Sequence, residues 1–137
     1  MNKATLLLLS VGAVVLPSLG LAQGDLSRYR DKNRLLLVFA PSLSDVRWKK
    51  QNALLDNSAV AFKDRDLLRF DYLEKGGTPG KALRLRYGVK PGQFRVLLIG
   101  KDGHVASEGP SPIGLNELTE QIDRMPMRRD EMRQRGR

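Results

Sequence analysis

With no cysteine among its 137 residues, the chain excludes disulfide scaffolding, thiol nucleophiles and thiolate metal sites. Its 24 basic against 15 acidic residues give a net charge of +9, which suits contact with anions, and its single histidine leaves histidine relays and histidine-pair metal ligation without partners. The length is enough for one domain with a single hydrophobic core and has no room for a second domain.

At the N-terminus, Lys3 precedes Leu6–Leu9 and Val11–Leu16, and Gly20-Leu21-Ala22 follows. A basic start, a short apolar centre and a small-x-small end are the three parts of a secretory signal. Residues 1–22 are therefore expected to be a signal peptide, and the protein periplasmic or secreted. The apolar run is shorter than the ~20 residues that span a bilayer. Pro17 interrupts it, and Gln23-Gly24-Asp25 lacks the basic residues of a stop-transfer segment. A lipoprotein is excluded because there is no cysteine to acylate. The remaining 115 residues carry 23 basic and 15 acidic side chains, net +8, and divide into a domain over 23–126 and a basic tail over 127–137.

Asp25–Lys32 reads as a short helical turn or arm in which Leu26 and Tyr29, three apart, share a face over the end of the core. Leu35–Phe39 is apolar without alternation, as in a central strand buried on both faces. It stops at Pro41, and Ser42 with Asp45 three residues on has the spacing of a capping box. Helix is predicted from Ser44 to about Asn57, with Gln51 interrupting the apolar stripe and Trp48 as a packing residue. Leu67–Leu73 mixes apolar and polar residues, as in a strand nearer the sheet edge.

Glu74–Lys81 breaks the chain, and its Gly80-Lys81 invites comparison with a phosphate-binding loop. That motif needs Gly, four residues, then Gly-Lys-Ser/Thr; here Lys75 stands at the first Gly, Gly76 is one position too close, and Ala82 replaces the hydroxyl. No nucleotide site is assigned, and a short helix over Gly80–Tyr87 is expected. Phe94–Gly100 is a third apolar strand, joined through Asp102-Gly103 to a fourth at Val105–Glu108, a strong hairpin signal. His104 is an exposed turn residue. Ser111-Pro112 can open a last helix, whose Leu115, Leu118, Ile122 and Met125 form one stripe and which Pro126 ends. The tail after it is either mobile or docked by Met127 and Met132.

Two stretches concentrate positive charge: Lys81–Lys101 has six basic residues and no acid, and Arg124–Arg137 has six arginines against Asp130 and Glu131. The candidate anion- or partner-binding residues are Ser42, Ser44, Arg84, Arg86, Arg95, Arg128 and Arg129. No catalytic, cofactor or metal residue is assigned. The anions within reach of an exported protein are envelope glycans, lipid head groups and acidic proteins.

Strand, helix, strand, helix, hairpin, helix (βαβαββα) is the element order of a thioredoxin fold, a single α/β domain with a central sheet flanked by helices. In thioredoxins and peroxiredoxins the reactive cysteine lies just after the first central strand, where the matching turn here is Ala40-Pro41-Ser42-Leu43-Ser44. The proline usual before the third strand is missing, with Arg95 in its place, and an arginine there could hold an anion at the N-terminus of the Ser42 helix. Arg28–Arg34 leading into Leu35–Pro41, then Leu97–Gly103, then Ile122–Met132 with its Met-Pro-Met-Arg-Arg segment, resemble a bacterial family of exported proteins of unassigned function. That family is similar to the peroxiredoxin-like domain of the vertebrate matrix proteins equarin and the sushi-repeat protein. The resemblance implies a thioredoxin-like, non-catalytic domain in matrix or envelope interactions. It brings no catalytic residues.

The leading expectation is thus an exported binding module. The alternatives are a cysteine-independent enzyme using Ser42 or Ser44 with Asp45, and a passive structural or chaperone-like envelope protein whose charge only keeps it soluble.

Overall fold

The computed structural model describes residues 25–136; the expected signal peptide lies outside the described residues. Four strands form one sheet in the order β2-β1-β3-β4, with β1 Arg34–Ala40, β2 Leu67–Leu73, β3 Arg95–Ile99 and β4 Val105–Gly109. β1 runs parallel to β2, from Arg34↔Leu67 to Ala40↔Leu73, and antiparallel to β3, from Leu35↔Ile99 to Phe39↔Arg95. Every residue of β1 is buried: the uninterrupted apolar run Leu35–Ala40 requires it, and Arg34 at its start is buried against Glu131. Leu35, Leu37 and Phe39 face a core completed by Leu26, Phe70, Tyr72, Leu83, Leu97 and Ile99. Leu36, Val38 and Ala40 face the other side of the sheet, packed with Leu55, Phe94, Leu98, Leu118 and Ile122.

Five α-helices cover these faces: α1 Val46–Leu54, α2 Ala59–Asp64, α3 Thr78–Tyr87, α4 Leu115–Asp123 and α5 Pro126–Gln134. Leu26 and Tyr29, around a 3-10 turn at Ser27–Tyr29, close the core on the Leu35 face as expected, with Tyr29 5.3 Å from Phe70. The hairpin turn needs Gly103, at φ 83°: a Cβ there would stand 2.9 Å from the Arg30 guanidinium. His104 is exposed beside it.

Four boundaries differ from the sequence reading, each for a local reason. The helix expected over 44–57 ends at Leu54, and α2 at Ala59–Asp64 follows it unforeseen: Asn57 takes a left-handed conformation (φ 56°) and the Ser58 hydroxyl donates to Leu55 O at 2.6 Å, separating the two. Asp45, not Ser42, caps α1, its carboxylate accepting from the Arg47 N–H at 2.9 Å. The last sheet-covering helix starts at Leu115, not at Ser111-Pro112. Gln51, buried completely, donates to Ile113 O and accepts from Ile113 N–H, both at 2.9 Å, holding that segment out of the helix. Gln51 is therefore a pin between α1 and the 110–114 loop, where the apolar stripe seemed merely interrupted. α4 ends at Asp123, and Pro126 opens α5, where its missing N–H costs nothing.

Candidate functional site: the turn after the central strand

In an open α/β sheet, ligands are met at the carboxyl ends of the parallel strands. Here that end gathers the 41–45 turn after β1, the 74–77 loop after β2 and the 88–94 loop before β3. The Ser42 and Ser44 hydroxyls lie 2.9 Å apart and bond each other. Asp45, the carboxylate that could serve them as a base, is chelated by Arg47, Nε to Oδ1 at 2.9 Å and Nη2 to Oδ2 at 2.7 Å. These bonds lower the Asp45 pKa from 3.8 to about 2, so it is a very weak base. Arg47 also donates to Gly92 O at 3.1 Å and stacks over Phe94, and the Gly92 N–H donates to Glu74 at 2.9 Å. Thus the turn, the 88–94 loop and the end of β2 are tied together by groups that satisfy one another.

His104 follows β3, whose far end pairs with Leu35 at the start of β1. A strand of seven residues is about 20 Å long, so the histidine cannot reach the serines. No serine–base pair forms at this turn. Among the described residues, no group of three or more His, Cys, Asp or Glu side chains could hold a metal ion.

The arginines singled out from sequence go to different places. Arg84, expected on the surface, is turned inward. Its Nη2 donates to Ala40 O at 3.1 Å and Tyr72 O at 2.9 Å, and its Nη1 to Leu73 O at 2.8 Å. It caps the carboxyl ends of β1 and β2 from below the turn, and burial lowers its pKa against the opposing pull of Glu74. Arg95, placed by the sequence reading where an anion could reach the Ser42 helix, pairs instead with Glu108 across the hairpin. Arg86 is exposed and lies over the Tyr87 ring at 5.5 Å. Arg129 is exposed on α5.

Arg128 is 1% exposed and is likewise no surface group. Its Nε meets Asp123 at 3.0 Å, and its Nη2 meets Asp64 at 2.7 Å. Beside it, Glu131 accepts from both Nη atoms of Arg34, each at 3.2 Å, and from Lys101 Nζ at 2.7 Å. Lys101 also reaches Asp66 at 2.8 Å, and Arg65 chelates Asp123. α5 is therefore docked, and by charged groups. Met127 is 42% exposed and Met132 only half-buried, so the methionines are not its anchor.

A family model for a domain of unknown function, DUF4174, matches residues 25–131. The chain belongs to this DUF4174 family. The match runs through Glu131 and so takes in most of α5. Coiled-coil domain-containing protein 80 of Danio rerio is 29% identical over 133 residues, which covers 78% of this chain and 15% of that protein. The DUF4174 chain thus spans under a sixth of the relative's length. Among solved structures it is similar to the reduced 2-Cys peroxiredoxin of Plasmodium vivax, with TM-score 0.58, 19% identity, and 77% and 83% of the two chains covered. Thioredoxin peroxidase I of Plasmodium yoelii gives the same TM-score and identity, over 82% and 81%. These likenesses give the DUF4174 chain a thioredoxin-like fold; the peroxidase chemistry of such proteins has no cysteine here to act through.

Besides Ser42, Ser44 and Glu74, two further groups are exposed at this end of the sheet. Leu43 and Val46 are 48% and 76% exposed on the turn and the first turn of α1. Lys75, Lys81 and Lys90 are exposed on the loops and the start of α3. Of the six basic residues between 81 and 101, Lys81 and Lys90 are thus the lysines left facing solvent, since Lys101 is buried.

Proposed function

We propose that this domain is a non-catalytic binding module of the cell envelope or the extracellular space. Its contact surface on this reading is the carboxyl end of the sheet, with Lys75, Lys81 and Lys90 engaging an anionic polymer or an acidic protein. The carrying observation is that the two serines of the 41–45 turn bond each other and its carboxylate is chelated by Arg47, so neither serine has a base, while the lysines around them face solvent. The net charge supports the same direction. The segment over 1–22, with the three parts of a secretory signal, supports export.

The test is binding of the protein, recovered from cells expressing the whole chain, to isolated envelope fractions at low and high salt. A Lys75→Glu/Lys81→Glu/Lys90→Glu variant runs alongside. Saturable binding that falls at least about tenfold with salt and with the triple reversal is expected, since exposed charges are screened beyond a Debye length of about 10 Å at 0.1 M. Binding indifferent to both overturns the ionic reading and directs attention to Leu43 and Val46. No binding at all favours a passive role.

A further inference from the structure

The sheet ends on one side at β2, and that edge differs from the opposite one. β4 is short and carries a register shift between Leu98 and Ile99 that leaves Ala106 without a partner, a bulge of the kind that discourages added strands. β2 has seven residues in unbroken register, no proline and no bulge. The Arg34 N–H donates to Asp66 O, and with Arg34 opposite Leu67 this turns the even-numbered residues of β2 toward β1. The backbone N–H and C=O groups of Leu67, Arg69 and Asp71 therefore point outward. Among the described residues, no backbone group pairs with these three; only Leu73 O, at the end of the edge, is taken, by the Gly76 N–H at 2.9 Å.

We infer that β2 pairs antiparallel with β2 of a second copy of this chain about a two-fold axis through Phe70. Parity and charge together select this register. Outward-pointing residues must lie opposite one another in a hydrogen-bonded pair. An axis at Arg69 would set two guanidiniums face to face, and an axis at Asp71 two carboxylates. The axis at Phe70 places Arg69 opposite Asp71 of the second copy, twice over, so each such pair exchanges two backbone hydrogen bonds and carries opposite charges on one face.

The charges are already set for this. Within one chain, Arg69 chelates Asp71, Nε to Oδ1 at 2.7 Å and Nη2 to Oδ2 at 2.8 Å, and Trp48 Nε1 holds Asp71 Oδ2 at 2.7 Å. Pairing would join two such chelates into an alternating quartet. On the other face Leu68, 37% exposed although it lies in a strand, would be covered by the second copy. A single strand edge is small against the roughly 1,200 Å² of a stable interface. Leu54 on α1, whose Trp48 and Asn52 bond Asp71 and Arg69, and Val60 on α2, which packs on β2, are both exposed and supply further apolar surface. The fit is isologous, so it closes at two chains.

Sedimentation of the protein made from the full chain tests this. The expected result is a dimer that dissociates on dilution, as mass action requires. Arg69→Asp and Asp71→Arg should each sediment as monomers, while an equimolar mixture of the two should recover the dimer, because each then presents the charge the other needs. Amide exchange on the unaltered protein gives an arm that no folding defect can spoil. Protection of the Arg69 and Asp71 amides should rise with concentration, while the Phe70 amide, directed at β1, stays protected throughout. A monomer at all concentrations, a dimer that survives both single reversals, or exchange at Arg69 and Asp71 that ignores concentration would overturn the inference.

Discussion

Replacing Glu131 by glutamine tests whether charge, and not apolar burial, docks the last helix. Arg34 is 1% exposed, and its Nη atoms have Glu131 as their carboxylate partner, with Arg65 O at 2.9 Å as the remaining contact. Lys101 would keep Asp66. Breaking a buried pair by removing one partner costs about 3–5 kcal/mol. The Glu131 side chain is 16% exposed, so some water reaches it and the lower end applies, about 3 kcal/mol. With a urea slope of about 1.5 kcal/mol/M, the unfolding midpoint should fall by about 2 M. Trp48, the single tryptophan, reports the transition from the β2 side of the molecule.

The pH dependence supplies a second check. Burial pushes the Glu131 carboxyl up, but hydrogen bonds from Arg34 and Lys101 outweigh it and hold the pKa below its ordinary 4.5. A carboxylate whose pKa is lower in the folded state contributes stability that is present above its unfolded value and lost as pH falls through the folded one. The gap between wild type and Glu131→Gln should be complete at neutral pH and narrow below pH 4.5. Asp130→Asn, one residue away but in an exposed pair with Arg133, should cost less than about 0.5 kcal/mol. If Glu131→Gln moves the midpoint no further than Asp130→Asn, the ionic account of α5 is wrong.

Two other substitutions separate internal roles from surface ones. Gln51→Ala should cost about 2 kcal/mol by urea titration, because it strips both hydrogen bonds from a partly enclosed Ile113 backbone; amide exchange should accelerate at Ile113 in particular. Arg84→Met removes the charged donor from three carbonyls at the ends of β1 and β2 and should cost about 2–3 kcal/mol. Its envelope binding per folded molecule should stay unchanged; a loss of binding at unchanged stability would return Arg84 to the contact surface.

The parts of the fold that sequence revealed are those where one physical signal acts alone. β1 is an apolar run with no polar interruption, Asp102-Gly103 demands a tight turn, and Leu118 and Ile122 keep helical spacing into the core. α2 escaped because its start depends on the backbone reversal at Asn57 and its six residues carry no stripe. α5 escaped for a different reason. Hydrophobic periodicity cannot register a helix held by Arg34–Glu131 and Arg128–Asp64, pairs 97 and 64 residues apart in sequence. Arg84 was partly legible: Gly80, Leu83, Arg84 and Tyr87 stand at helical spacings of three, one and three, so the arginine falls on the inward face of α3 beside Leu83. Counting it with a charge run hid that placement.

On the proposed binding role, this division of the basic residues bears on the kind of partner the surface would recognise. Arg34, Arg84 and Arg128 are buried and meet fixed acceptors in several directions at once, work to which a planar guanidinium is suited and an ammonium is not. The chain has no disulfide with which to fasten its C-terminal helix, and arginine forks close it instead. At the carboxyl end of the sheet, Arg47 is committed to Asp45 and Gly92, Arg95 to Glu108, and the exposed cations are Lys75 and Lys90 on the loops and Lys81 at the start of α3. Lysines act as mobile point charges without bidentate geometry, so a surface built from them reads charge density more than the shape of one carboxylate or phosphate. A repetitive anionic polymer meets that requirement better than a small ligand does, since many weak, exchangeable contacts add along it while no single pocket has to be formed.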